Sequence, residues 1–195
     1  MTGRLEFEEL NKIVERNIVK LFKIFQKNPA IFLSESDVQC YLYSLLINDP
    51  EIRDFHPNMI NFSATMETSK SIFVHANMRV SIRNKNRIVD LSVFPPKETL
   101  DLTDNDLWDN MIGIEIKFNR RVPARKESSN IMDDIKKVSD YKKGYVLWLN
   151  WDREIDDDNL KKVEKFAEKH ANVRVLYLDL FSDPIKTNVS EISLN

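Results

Sequence analysis

Residues 5–27 place Leu10, Ile13, Val14, Ile18, Leu21, Phe22 and Phe25 at intervals of three and four, and Asn28-Pro29 stops the run. That spacing predicts one amphipathic helix. A second helix begins at Ser34, where Asp37 three positions on completes a capping box, and runs through Val38, Leu42 and Leu45 to Asn48-Asp49-Pro50. From residue 72 the period falls to two: Ile72, Val74, Ala76, Met78, Val80 and Ile82 alternate with Phe73, His75, Asn77, Arg79 and Ser81, a long half-buried strand. The polar tip Arg83 to Arg87 leads into a second alternating run, Ile88 to Phe94, which Pro95-Pro96 ends, so the pair reads as a hairpin. The stretch MIGIEIKFNRR, residues 111–121, alternates again, with Ile112, Ile114, Ile116 and Phe118 on one side and Gly113, Glu115, Lys117 and Asn119 on the other. A helix over about 130–143, closed by Gly144 as a left-handed cap, a strand over 145–151, a helix over about 156–170 and a strand over 173–179 complete the chain. The predicted order is α, α, β, β, β, α, β, α, β, an α/β arrangement.

Composition narrows the function classes. A chain of 195 residues, 42% hydrophobic and 31% charged, suits one domain with one covered core. No apolar run approaches the roughly 18–20 residues that cross a bilayer, so no membrane function is expected. The start MTGRLEFEEL has no basic stretch followed by an apolar segment, and Cys40 is the single cysteine. A cytoplasmic, reducing setting is the expectation. Net charge is −2, so any contact with nucleic acid must be local rather than a property of the whole surface. Three glycines are too few for a phosphate-binding glycine loop, and His56, His75 and His170 are too dispersed for a zinc centre.

Candidate chemistry lies on the strands. Three acid-x-Lys triplets occur, at Glu115, Asp134 and Asp140. Chance alone supplies about that many. The first differs in its setting: Glu115 and Lys117 project from one face of a predicted strand whose other face is apolar, whereas the other two fall on or beside a predicted helix. Asp90 sits mid-strand, where aspartate is a poor strand former and a buried charge is costly unless paired or metal-bound. Asp90 and Glu115 on neighbouring strands would repel, and a divalent cation between them would offset the repulsion. The plainer alternatives are an aspartate hydrogen-bonded to a turn and an exposed cross-strand salt pair.

On these residues the chain resembles the PD-(D/E)XK nuclease superfamily, the restriction-endonuclease-like fold. The pattern is an acidic residue on a leading helix, an aspartate on the second strand of a hairpin, and Glu-x-Lys on the next strand. Here these are Glu35, Asp90, and Glu115 with Lys117, within residues 31–180; Val89 stands where the family has proline. The resemblance implies a mixed central sheet of about five strands flanked by helices, in a single domain over 1–195, with residues 1–30 as an added amphipathic helix. It implies a Mg²⁺-dependent nuclease, a phosphodiesterase acting on DNA, for which Mn²⁺ could substitute. Asp90, Glu115 and the backbone carbonyl of Ile116 would hold the metal. Lys117 would position the attacking water or stabilise the transition state, two roles the sequence leaves open. Glu35 also fits a plain helix-dipole role, although it lies one turn before Val38 and Leu42 on the core-facing stripe and shares that side with Gln39.

Basic side chains for a nucleic-acid backbone gather after the third strand, where Lys117, Arg120, Arg121, Arg125 and Lys126 make five of the ten residues 117–126. Gln39 is a further candidate contact. On the helix that follows, Asp133, Asp134, Lys136 and Lys137 read as a wet face, with Lys136 or Lys137 within reach of a substrate phosphate. Asp156-Asp157-Asp158 fits a helix N-terminus, and the acidic stretch between Pro96 and Asn110 a solvated loop. The alternative function is a noncatalytic module on the same fold that binds nucleic acid or protein, with the helix at 5–27 as a candidate homodimer contact.

Overall fold

The structure is a computed structural model that describes residues 7–53, 71–77, 79–82, 85–97, 110–119, 124–151, 157–179 and 186–187. Helix α1 (Phe7–Lys27) buries the predicted stripe from Leu10 to Phe25. Helix α2 (Glu35–Ile47) starts at the Ser34 N-cap, and the Ser34/Asp37 capping box is formed in both directions. A short helix α3 (Pro50–Arg53) follows. Asn17, inside the apolar stripe of α1, donates to Ile13 O at 2.9 Å and to Asp49 Oδ2 at 2.8 Å. Arg16 Nη2 donates to both oxygens of the buried Asp49 carboxylate at 2.8 and 2.9 Å, which staples α1 to the end of α2.

Strands β1 (Ser71–Ala76), β4 (Leu91–Lys97), β5 (Ile112–Asn119), β6 (Lys143–Asn150), β7 (Val173–Asp179) and β8 (Lys186–Thr187) form one mixed sheet in the order β1-β4-β5-β6-β7-β8. Strands β5, β6 and β7 run parallel and the other pairings are antiparallel. Among the described residues the sheet thus has six strands rather than about five, the last only two residues long. Helices α4 (Ala124–Val138) and α5 (Asp157–Ala167) connect the parallel strands. Among the described residues no helix is long and apolar enough to cross a membrane.

Two apolar layers enclose the sheet. Leu91, Val93, Ile112, Ile114, Ile116, Tyr145, Leu147 and Leu149 pack with α1 and α2, while Phe94, Val146, Trp148, Val175 and Tyr177 pack with α4 and α5. A parallel strand covered on both faces needs a compatible residue at every position. That is why Gly113 stands in β5: a Cβ there would lie 2.8 Å from the Tyr141 ring. It is also why Glu115, expected on the less buried face, is only 2% exposed.

Several boundaries depart from expectation. Helix α4 runs over Ala124–Val138 instead of about 130–143. Gly144 is therefore not a helix cap; it lies in β6 with no positive φ, and its missing Cβ makes room for Val138, whose carbonyl would be 2.7 Å away. Strand β4 continues through Pro95-Pro96 to Lys97, which is tolerated because past Val93 it pairs only with β1. The hairpin keeps one register through β2 (Arg79–Ile82) and β3 (Lys85–Ile88), but the ladder breaks between Ala76 and Arg79 and between Ile88 and Leu91. At the break Asn77 adopts φ 52°, a left-handed conformation asparagine tolerates, and Asp90 falls outside the regular strand.

Candidate active site

The break in the hairpin opens the sheet. Among the described residues strand β4 pairs with β5 only from Val93–Ile112 to Leu91–Ile114, and further along β5 the backbone N–H groups on that edge have no strand partner. Two carboxylates take them instead. Ile116 N–H donates to Asp90 Oδ2 at 2.6 Å, and Phe118 N–H donates to Glu35 Oε2 at 3.4 Å. Asp90 is itself fixed through its carbonyl, which accepts from Asn77 N–H at 3.0 Å and from Gln39 Nε2 at 2.6 Å. Helix α2 therefore supplies Glu35 and Gln39, the broken hairpin supplies Asp90, and all three meet at the free edge of β5.

From the other layer α4 closes on the same place. Lys117 Nζ lies 3.5 Å from Glu35 Oε1 and 3.6 Å from Asp134 Oδ2, reaching carboxylates contributed by helices on opposite faces of the sheet. Lys137 Nζ lies 2.9 Å from Glu115 Oε1 and 3.4 Å from Asp134 Oδ1. At the Lys137–Glu115 contact charge and hydrogen bonding act together on the buried carboxyl. Three carboxyl groups, Glu35, Glu115 and Asp134, thus share two ammonium groups, while Asp90 is held by the Ile116 N–H.

Burial and crowding set the protonation behaviour. Glu115 is pushed up to about 8, chiefly by loss of solvent and then by repulsion from Asp90, with Lys137 opposing both. Burial also raises Glu35 against the attraction of Lys117, and raises Asp134 against Lys117 and Lys137. Burial alone would lower Lys117, but Asp134, Glu35, Glu115 and Asp90 outweigh it and hold the ammonium charged. Lys137 is raised in the same way, by Glu115 and Asp134 acting against desolvation.

The structure thus brings together Glu35, Gln39, Asp90, Glu115, Ile116 and Lys117. Glu115 does not form an exposed salt pair with Lys117, and Glu35 stands in the first turn of α2, as the helix-dipole reading has it, while also meeting Phe118 N–H and Lys117. Gln39 acts through Asp90 rather than standing free for a nucleic acid. Arg120 and Arg121 lie outside the described residues; Arg125 and Lys126 fall in the first turn of α4, and the description does not extend to their side chains. Sequence reasoning missed Asp134. It was assigned to a wet face, which holds for Asp133 paired with Lys136 but not for Asp134, only 5% exposed. The signal was present, because 131, 134, 135 and 138 form one helical stripe and the other three members are Ile131, Ile135 and Val138.

Every donor atom available here is oxygen, the chemistry a hard divalent cation takes. Among the described residues no group of three or more His, Cys, Asp or Glu side chains is arranged to hold a metal ion by itself. Comparison with protein-family models, with curated proteins and with solved structures returns no match.

Proposed function

We propose that this protein is a Mg²⁺-dependent nuclease with a restriction-endonuclease-like core, hydrolysing phosphodiester bonds of DNA. The reading rests on one observation: Asp90, Glu115 and Lys117 converge where β4 leaves β5, with Glu35 closing the group from α2. Asp90, Glu115 and the carbonyl of Ile116 would hold the cation. The Ile116 N–H already points to the Asp90 edge, and in a strand the carbonyl of the same residue shares that edge. Two carboxylates and a carbonyl leave the remaining positions to water and a phosphate oxygen, as Mg²⁺ prefers. When bound, the ion supplies Lewis-acid activation of a phosphate oxygen and of a bound water.

The residues of the chain divide the remaining work. Lys117, held charged by surrounding carboxylates, orients the attacking water or offsets charge that builds on the phosphate in the transition state. Glu35 fixes Lys117 from the α2 side, and Gln39 fixes Asp90. Arg125 and Lys126, with Arg120 and Arg121, offer charge to the substrate backbone. Cys40, free and exposed, is compatible with a cytoplasmic protein.

The test is titration of the purified chain with Mg²⁺ or Mn²⁺, wild type beside Asp90→Ala and Lys117→Ala, read by calorimetry and by cleavage of single- and double-stranded DNA. Metal binding lost in Asp90→Ala, with cleavage lost in both variants, is the expected result. A second reading, a noncatalytic module that binds nucleic acid or protein, is favoured by the internal pairing of Lys117 and Lys137, each of which is already engaged by two carboxyl groups. An absence of metal binding by the folded wild type would select it.

A further inference from the structure

Lys137 occupies a position that catalysis by Asp90, Glu115 and Lys117 does not require. It reaches from α4 to the buried Glu115 carboxylate at 2.9 Å, the oxygen ligand assigned above to the metal, while its own side chain is 31% exposed. Its second partner, Asp134 Oδ1, is already within 3.4 Å and is not among the assigned ligands. Asp134 also holds Lys117 at 3.6 Å through its other oxygen, so it bridges both lysines from behind the site. The ammonium thus has two carboxyl partners within reach, Glu115 on the strand at 2.9 Å and Asp134 on its own helix at 3.4 Å. An ammonium with a second carboxylate already in reach can cede the first to another cation with little movement.

We infer that Lys137 is the resident partner of the Glu115 carboxyl, which an incoming divalent cation displaces onto Asp134. The inference rests on the metal reading of Asp90 and Glu115. In the metal-free protein the Lys137 ammonium occupies the Glu115 oxygen that an incoming cation would take, on a carboxyl that has almost no access to water. On metal binding the ammonium is repelled by the ion and needs only a small side-chain movement, because Asp134 already accepts it on the same helix, three residues away. Lys117 keeps its place between Glu35 and Asp134 throughout. Asp134 is then a positioning residue that parks one lysine and steadies the other.

A competitor and a prop have opposite signatures. If Lys137 competes with the metal, removing it strengthens metal binding; if it merely props Glu115 in place, removing it weakens binding. Calorimetric titration of the full chain with Mn²⁺ is expected to give about tenfold tighter binding for Lys137→Met than for wild type, the order of one charge contact near a protein surface after solvation is discounted. Lys137→Arg, which retains the charge, should bind no tighter than wild type. A second measurement uses only the wild type: amine labelling read by mass spectrometry, with exposed Lys136 as the internal reference. Labelling of Lys137 should rise several-fold when Mn²⁺ saturates the site. Wild type that binds Mn²⁺, with Lys137→Met equal or weaker, or with Lys137 labelling unchanged at saturation, overturns the inference and leaves the metal reading intact. No Mn²⁺ binding by either protein overturns the metal reading itself.

Discussion

Replacing Glu115 by glutamine should stabilise the metal-free protein, and by an amount that grows with pH. Glu115 is 2% exposed and its ionisation is shifted from the ordinary 4.5 up to about 8. Below pH about 4.5 the carboxyl is protonated in both folded and unfolded chains, so it contributes no pH dependence. Between about 4.5 and 8 the unfolded chain has released the proton and the folded chain retains it. The folded state binds more protons there, so its stability falls as pH rises, by about 1.4 kcal/mol per pH unit. At pH 7 the accumulated penalty is on the order of 3 kcal/mol, a large share of the total for a domain of this size. Glutamine keeps the shape and cannot ionise. Urea unfolding of both proteins from pH 4.5 to 8, followed by fluorescence of the buried Trp148 and its neighbours, should show a stability difference that widens across the window. Other titrating groups are common to both chains and cancel in the difference. Saturating Mg²⁺ should flatten the wild-type curve and leave Glu115→Gln unchanged. A difference constant to within about 0.5 kcal/mol over the window would refute the claim that burial of this carboxylate opposes its charge.

Asp49 should behave with the opposite sign. Burial would raise it, but hydrogen bonds from Asn17 and Arg16 prevail and hold it below the ordinary carboxylate value, so its contribution is present above pH about 4 and is lost as pH falls through the lowered folded value. Asp49→Asn should cost about 1–3 kcal/mol at pH 7 and lose less than wild type on acidification, measured as urea midpoints at pH 7, 5 and 3. Gly113→Ala should destabilise by about 1–3 kcal/mol because the new methyl meets the Tyr141 ring at 2.8 Å. In a Tyr141→Ala background the same change should cost much less, and thermal melts of the four proteins give the coupling. Gln39→Ala should cost about 1 kcal/mol through loss of its bond to the Asp90 carbonyl. It should also weaken Mn²⁺ binding a few-fold by loosening Asp90, read by calorimetry.

Periodicity made most of this architecture legible. The stripe of α1, the capping box of α2 and the alternation of β5 and β7 fall where the spacing puts them, because each buries a regular face. What stayed hidden depends on contacts between elements. The first turns of α4 carry no apolar period, since Ala124 to Asn130 contain no large apolar residue, and only the packing of Ile131, Ile135 and Val138 fixes the helix. Gly144 had the look of a cap because glycine after a helix usually is one, and its real constraint, the close approach of Val138, lies in three dimensions. The hairpin break was masked by unbroken alternation through Asn77, although asparagine is among the few residues that accept its positive φ.

The site itself was half legible for a related reason. Asp90, Glu115 and Lys117 stand out as charges on strands, where charge is rare; Asp134 and Lys137 do not, because charge on a helix is ordinary. The fold makes the two groups one unit. A strand pair that stayed zipped would satisfy the β5 edge with carbonyls and keep the α2 and α4 layers apart. Because Asp90 leaves the ladder, its carboxylate replaces a strand carbonyl on Ile116 N–H, Glu35 does the same on Phe118 N–H, and Lys117 reaches both Glu35 and Asp134. The irregular hairpin is thus what lets carboxyl groups from α2, α4 and the hairpin meet at one edge of β5. Restoring the ladder should therefore close the site even with every charged residue but Asp90 in place. Asp90→Val, a good strand former, is expected to preserve or raise stability against urea while abolishing Mn²⁺ binding. Full Mn²⁺ affinity in Asp90→Val would show that the ion is held elsewhere.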